Sequence, residues 1–263
     1  MIVFSAIIPH SPLLIPSIGK EHRDQLAQTL HAYTELEQAL YLTKPDTLVI
    51  ISPHAAMYPD AFSGNMAASF TGVLKDFGDH GTTVKAKTDF LLLDHIHRAM
   101  REEDIPFTLT SQEELDYGFT IPLLLLTPHL ERWKLVPLST SLLDGQHHYE
   151  MGRQLKRVLH AEQHRVAIMA SADLSHHSNY LSAQGATPEG QQFDQLVRDK
   201  VLHMDAAGLL ALDQNLVEKA QQCGYKPILM LLGALENIQC TPKELCYEAP
   251  FGVGYLTMKF DIA

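Results

Sequence analysis

Ile2-Val3-Phe4-Ser5-Ala6-Ile7-Ile8-Pro9-His10-Ser11-Pro12 is the stretch whose reading decides the fold. Seven mostly apolar or β-branched residues predict a buried strand, and Pro-His-Ser-Pro stops it. Pro9 and Pro12 have no N–H for a ladder and fix φ, so His10 falls on a stiff corner at the strand's carboxyl end. The design recurs at Asp46-Thr47-Leu48-Val49-Ile50-Ile51-Ser52-Pro53-His54. A third apolar run, 165–171, leads into Asp173-Leu174-Ser175-His176-His177. Open α/β sheets place ligands at the carboxyl ends of their strands. Histidines presented there are expected to share one site.

Between these strands the pattern is helical. Leu26, Leu30, Tyr33, Leu36 and Leu40 recur at three and four, predicting a helix over 21–42 and a parallel β–α–β unit. The segment 55–72 has no clear period and is expected to loop over the His54 corner, with a short strand near 67–70. A helix is predicted over 87–101, with Phe90, Leu91, His95 and Met100 inward, then a strand over 105–110. Pro122 is expected to start a helix carrying Leu123 to Leu126. A strand over 134–139 and an amphipathic helix over 148–162 come next, then helices over 189–204, 206–212 and 214–222. Pro227 suits the first turn of an apolar, buried helix over 228–235, and two strand-like runs close the chain. The expected fold is α/β: one domain over 1–263, with a central mixed, largely parallel sheet flanked by helices.

Composition bounds the function. The 263 residues are 46% hydrophobic, ample for a large core, and carry a formal net charge of −11 without a basic block. Neither nucleic acid nor an anionic membrane surface is the expected partner. No apolar run is long enough to span a bilayer, and the N-terminus lacks the marks of a signal peptide. Cys223, Cys240 and Cys246 are odd in number and form no CxxC, so a reducing, cytoplasmic setting is expected rather than a disulfide framework.

Rigid corners suit a metal, which needs neutral imidazoles held in fixed orientation. Fifteen histidines exceed any one site, so most are surface or packing residues. His147 and His148 are expected in solvent at a helix start, and His95 and His97 to be structural. His129 is expected to meet free carbonyls at a helix end. Taken singly, Asp116 reads as a turn residue, Asp173 as a cap, Cys223 as a buried thiol and Glu248 as an edge carboxylate.

Taken together and in order, five pieces carry a resemblance. They are His10, Ser52-Pro53-His54, Asp116-Tyr117-Gly118-Phe119-Thr120-Ile121-Pro122-Leu123, Ser171-Ala172-Asp173-Leu174-Ser175-His176 and Cys223-Gly224-Tyr225-Lys226-Pro227-Ile228. This series resembles the class III extradiol ring-cleavage dioxygenases of the catalytic B-subunit type and the related Memo-like proteins. The dioxygenase resemblance implies Fe(II) held by His10, His54 and one glutamate, with positions open for a catechol and O₂. It further implies that His176 is an acid/base acting on the substrate and that Asp116 orients the site.

The stretch where that glutamate is expected, Gln222 to Pro227, holds no carboxylate. Its Cys223-Gly224-x-x-Pro227, with the earlier Asp173-x-x-His176, is similar to the Memo-like branch. Many of the dioxygenases also have histidine where this chain has Tyr117. A thiolate from Cys223 favours Zn or Cu, and a carboxylate such as Glu248 is the other candidate to complete the site. Three functions are open: cleavage of a small aromatic diol, a Memo-like metal-binding role in redox chemistry or partner binding, and metal-assisted hydrolysis. A homo-oligomer is left open.

Overall fold

The computed structural model describes residues 1–176 and 187–263. Among these, an eight-stranded sheet runs in the order β10-β11-β1-β9-β2-β8-β3-β6. Its centre is four parallel strands: β1 (Ile2–Ile8), β9 (Val166–Ser171), β2 (Thr47–Ser52) and β8 (Lys134–Ser139). Every residue of β2 and β9 is buried, as expected for strands covered on both faces. The predicted β1–helix–β2 unit has parallel strands, but β9 lies between them. On one side β11 (Tyr255–Ile262) pairs antiparallel with β1 and with β10 (Cys240–Glu248). On the other, β3 (Phe62–Asn65) pairs antiparallel with β8 and parallel with β6 (Phe107–Thr110).

The side-chain alternation of the strands builds two cores. Leu48, Ile50, Ala167 and Met169 face one, under α2 (Ala27–Thr43) and α4 (Tyr117–Leu126). Val49, Ile51, Ile168 and Ala170 face the other, under α3 (Phe90–Glu102), α5 (Gly145–Ala161), α6 (Pro188–Leu202) and α9 (Tyr225–Ala234). Short helices α1 (Pro16–Gly19), α7 (Ala206–Leu210) and α8 (Gln214–Lys219) are the remaining α-helices among the described residues. A small sheet joins β5 (Asp79–Lys87), β4 (Ser69–Leu74) and β7 (Glu114–Leu115); β4 overlaps the short strand expected near 67–70, while β3 falls inside the segment expected to loop.

Three expectations are corrected. Helix α3 is capped by Asp89, whose side chain accepts from Leu92 N, and it buries Leu92, Leu93, Ile96 and Met100. That three–four stripe leaves Phe90 48% and Leu91 64% exposed, and puts His95 at the surface beside Glu162. Helix α4 starts at Tyr117 rather than Pro122, because Asp116 caps it by accepting from Gly118 N. His148 is fully buried, not solvated. Its Nδ1 donates to Asp144 O (2.7 Å) and its Nε2 accepts from Ser141 N (3.2 Å), so both ring nitrogens are satisfied in the β8–α5 connection.

Candidate metal centre

Strand register brings the site together. Ile8 of β1 pairs with Ser171 of β9, and Ile51 of β2 pairs with Ala170. Two residues beyond these strand ends, His10, Asp173 and His54 therefore stand level across three neighbouring strands. His10 N donates to Asp173 Oδ1 at 2.9 Å, which ties the first corner to the third.

The ring atoms converge. His10 Nε2 lies 3.0 Å from His54 Nε2 and 3.5 Å from Cys223 Sγ. The three ligand atoms all fall within 4.8 Å of one another. Cys223 arrives from the other end of the chain, just before α9, because Gly224 lets the backbone approach β9's extension closely. A Cβ there would sit 2.7 Å from Asp173 O. Gly118 plays the same part for α4, since its Cβ would meet Ser52 Oγ at 2.4 Å.

Ser171 sets the His10 tautomer. Its hydroxyl has one proton and donates it to Gly118 O at 2.5 Å. Toward His10 Nδ1, 2.9 Å away, it must accept, so Nδ1 carries the hydrogen and Nε2 presents a lone pair. Burial, with His176 adding to it, pushes His10 down to about 3, and burial likewise pushes His54 to about 3. Both rings are neutral near pH 7. Burial, reinforced by Asp173, drives the Cys223 thiol well above its usual range. Without a cation it is a thiol, donating to Asp173 O at 3.4 Å.

These donors fit a metal. Two neutral imidazoles and a thiol bring their donor atoms within 4.8 Å of one another, and His10 Nε2 presents a lone pair among them. A tetrahedral ion with bonds of about 2.0–2.3 Å separates its ligand atoms by roughly 3.3–3.8 Å. The observed 3.0 and 3.5 Å separations approach that spacing.

The remaining predicted residues divide. His176 Nε2 is 4.0 Å from Cys223 Sγ, at the rim of the cluster. Asp116 accepts from Ser52 Oγ (2.9 Å) and Gly118 N (2.7 Å), and burial raises it to about 6. It braces the His54 corner, where His54 N also donates to Ser52 Oγ (3.2 Å). Glu248 stands apart, its Oε1 accepting from Thr29 N at 2.8 Å at the start of α2. His129 pairs with Glu37 at the surface, and His177 lies outside the described residues. Ser171 and the Tyr117 hydroxyl, 2.9 Å from His54 Nε2, were missed by sequence reasoning. The available signals were that serine ends both β2 and β9, immediately before the corners, and that Tyr117 stands where many of the dioxygenases have histidine.

Beside the cluster opens a cleft of about 310 Å³, walled by Pro12, Leu13, Ile18, Phe77, Tyr117 and Tyr255, with Ser11, Asp173 and His176 as its polar points. Fold and cluster together define an α/β protein with a histidine–histidine–cysteine group at the carboxyl edge of its parallel strands. The chain belongs to the family described as the catalytic LigB subunit of aromatic ring-opening dioxygenase, whose model matches residues 5–258.

Its relatives include Protein CA_C1420 of Clostridium acetobutylicum, 25% identical over 97% of this chain and 56% of that protein. The chain thus spans about half the length of that relative. The MEMO1 family protein Mbar_A1422 of Methanosarcina barkeri is 22% identical, covering 79% of this chain and 81% of that one. Among solved structures, uncharacterized protein JW3007 from Escherichia coli K12 shares the fold, with a TM-score of 0.71 at 16% identity. That match covers 98% of this chain and 99% of the other.

Proposed function

We propose that this chain is a metal-dependent oxidoreductase that opens the ring of a small aromatic diol with O₂. The observation that supports the reading is the adjacency of the two-histidine cluster to the aromatic-walled cleft, with His176 shared between them. His10, His54 and Cys223 would hold the metal, which supplies a place for the diol and O₂ to meet. The protein's own part is orientation and proton control. Tyr255, Phe77 and Tyr117 present faces and edges to a flat ring, and Pro12, Leu13 and Ile18 keep water from its far side. His176 would take a proton from a substrate hydroxyl at Nε2 and return it to the opened product.

No Lys or Arg lines the cleft among the described residues, so it offers no fixed cation to a ring carboxylate. The substrate class is therefore an uncharged catechol. Iron is the metal this chemistry calls for. The experiment is O₂ uptake by anaerobically iron-loaded protein against a panel of catechols with and without carboxylates. Uptake with uncharged catechols supports the reading, and none with any diol rejects it.

One observation favours a second reading. Cys223 supplies sulfur where a ring-cleaving site of this type is expected to supply a carboxylate, and thiolates prefer Zn or Cu(I). On that reading the chain is a Memo-like metal-binding protein with a redox or partner-binding role and no ring cleavage. Copper or zinc in the isolated protein, with no O₂ uptake, selects it.

A further inference from the structure

Tyr117 is the first residue of α4, and its backbone is set by the Asp116 cap. Its ring stacks on His54, with centroids 4.4 Å apart and planes 25° apart. It meets His10 edge-on at 5.5 Å and Phe77 edge-on at 5.3 Å. The phenol is thus clamped between a metal-facing imidazole and Phe77. Its Oη lies 2.9 Å from His54 Nε2, the same atom that faces His10 Nε2 at 3.0 Å.

We propose that Tyr117 is the fourth donor of this metal site, completing an N₂SO set with His10, His54 and Cys223. The inference rests on the metal-centre reading above and gives Tyr117, used there only as a wall of the cleft, a place among the ligands. A cation bound through His54 Nε2 would lie within reach of the phenol oxygen, which stands 2.9 Å from that atom. The ring cannot swing aside without giving up its stack on His54 and its contact with Phe77. The hydroxyl therefore stays beside the cation. There the O–H bond breaks, the proton leaves to solvent, and an oxygen lone pair bonds to the metal. Nothing is oxidised or reduced in that step. An oxygen donor also offsets the softness of the thiolate, which widens the site's tolerance toward Fe(III) and Cu(II).

The test is resonance Raman spectroscopy of the full chain loaded with one equivalent of Fe(III), beside measured metal affinity. Wild type should show enhanced tyrosinate ring modes. Tyr117→Phe should lose them and bind about 10–100-fold more weakly. Tyr117→His, which supplies a nitrogen in place of the phenol, should lose the modes yet keep affinity within about 10-fold of wild type. One bound equivalent without tyrosinate modes in wild type overturns the Tyr117 assignment alone. Modes that persist in Tyr117→Phe overturn it as well. Failure of wild type to take up metal overturns it together with the metal-centre reading.

Discussion

Pro122 stands four residues after Gly118 within α4, and Gly118 O accepts from Ser171 Oγ at 2.5 Å. In an unbroken helix the amide of residue 122 would donate to that carbonyl. Proline has no such amide, and its ring pushes the carbonyl of residue 118 outward. The freed carbonyl orients the Ser171 hydroxyl, and the hydroxyl fixes the protonation of His10. A helix irregularity on one face of the sheet thus reaches the proposed metal ligand through two hydrogen bonds.

Restoring the amide tests this relay. Pro122→Ala gives Gly118 O an internal partner and is expected to lower metal affinity by up to about 10-fold without lowering stability. Ser171→Ala removes the hydroxyl itself and should cost about 10–100-fold. Equilibrium metal titration checks both, and unchanged affinity in Ser171→Ala would separate the His10 tautomer from binding.

His176 is expected to act on substrate. His176→Ala should keep near-normal metal content while turnover falls about 10²–10⁴-fold. Loss of metal in that variant would instead place His176 among the ligands, 4.0 Å as it is from Cys223 Sγ.

Cys223 is expected to decide metal preference. Cys223→Glu supplies the carboxylate that a ring-cleaving site of this type is expected to carry and should shift competitive loading toward iron. Cys223→Ser should weaken zinc and copper most. Identical selectivity in wild type and both variants, loaded anaerobically from mixed metals, would mean that the thiol does not bind the ion.

His148 predicts an acid-side loss of stability. Burial holds it near 4 in the folded chain, against about 6.5 when unfolded. Between those values the unfolded chain takes up a proton that the folded chain refuses, so stability falls as pH falls through the window, by up to ~3 kcal/mol. His10 and His54 add slopes of the same sign. His148→Gln should therefore flatten, without abolishing, the decline in urea midpoint between pH 6.5 and pH 4. A slope equal to wild type would show that the folded protein admits the proton at His148.

Much of this was legible in the residues. The Pro-His corners announced β1, β2 and the convergence of His10 and His54, because a buried strand that stops at proline leaves the histidine after it little freedom. Cys223, which reads singly as a buried thiol, entered the site only through the resemblance of Cys223-Gly224-x-x-Pro227 to the Memo-like branch. The segment Phe62-Ser63-Gly64-Asn65 was not, since its pairing with β8 and β6 depends on tertiary neighbours rather than on alternation. His148 was misread because a polar helix start usually faces water, whereas here α5 packs it edge-on against Phe62. Ser171 stayed hidden because its role exists only once Pro122 has freed a carbonyl on another element.

The central claim is that His10 and His54 hold one metal between them. Its most direct measurement is the metal content of wild type, His10→Ala and His54→Ala, each loaded anaerobically and freed of unbound ion. One equivalent in wild type, with strong loss in each folded variant, is the predicted result. Full occupancy in both variants would contradict it.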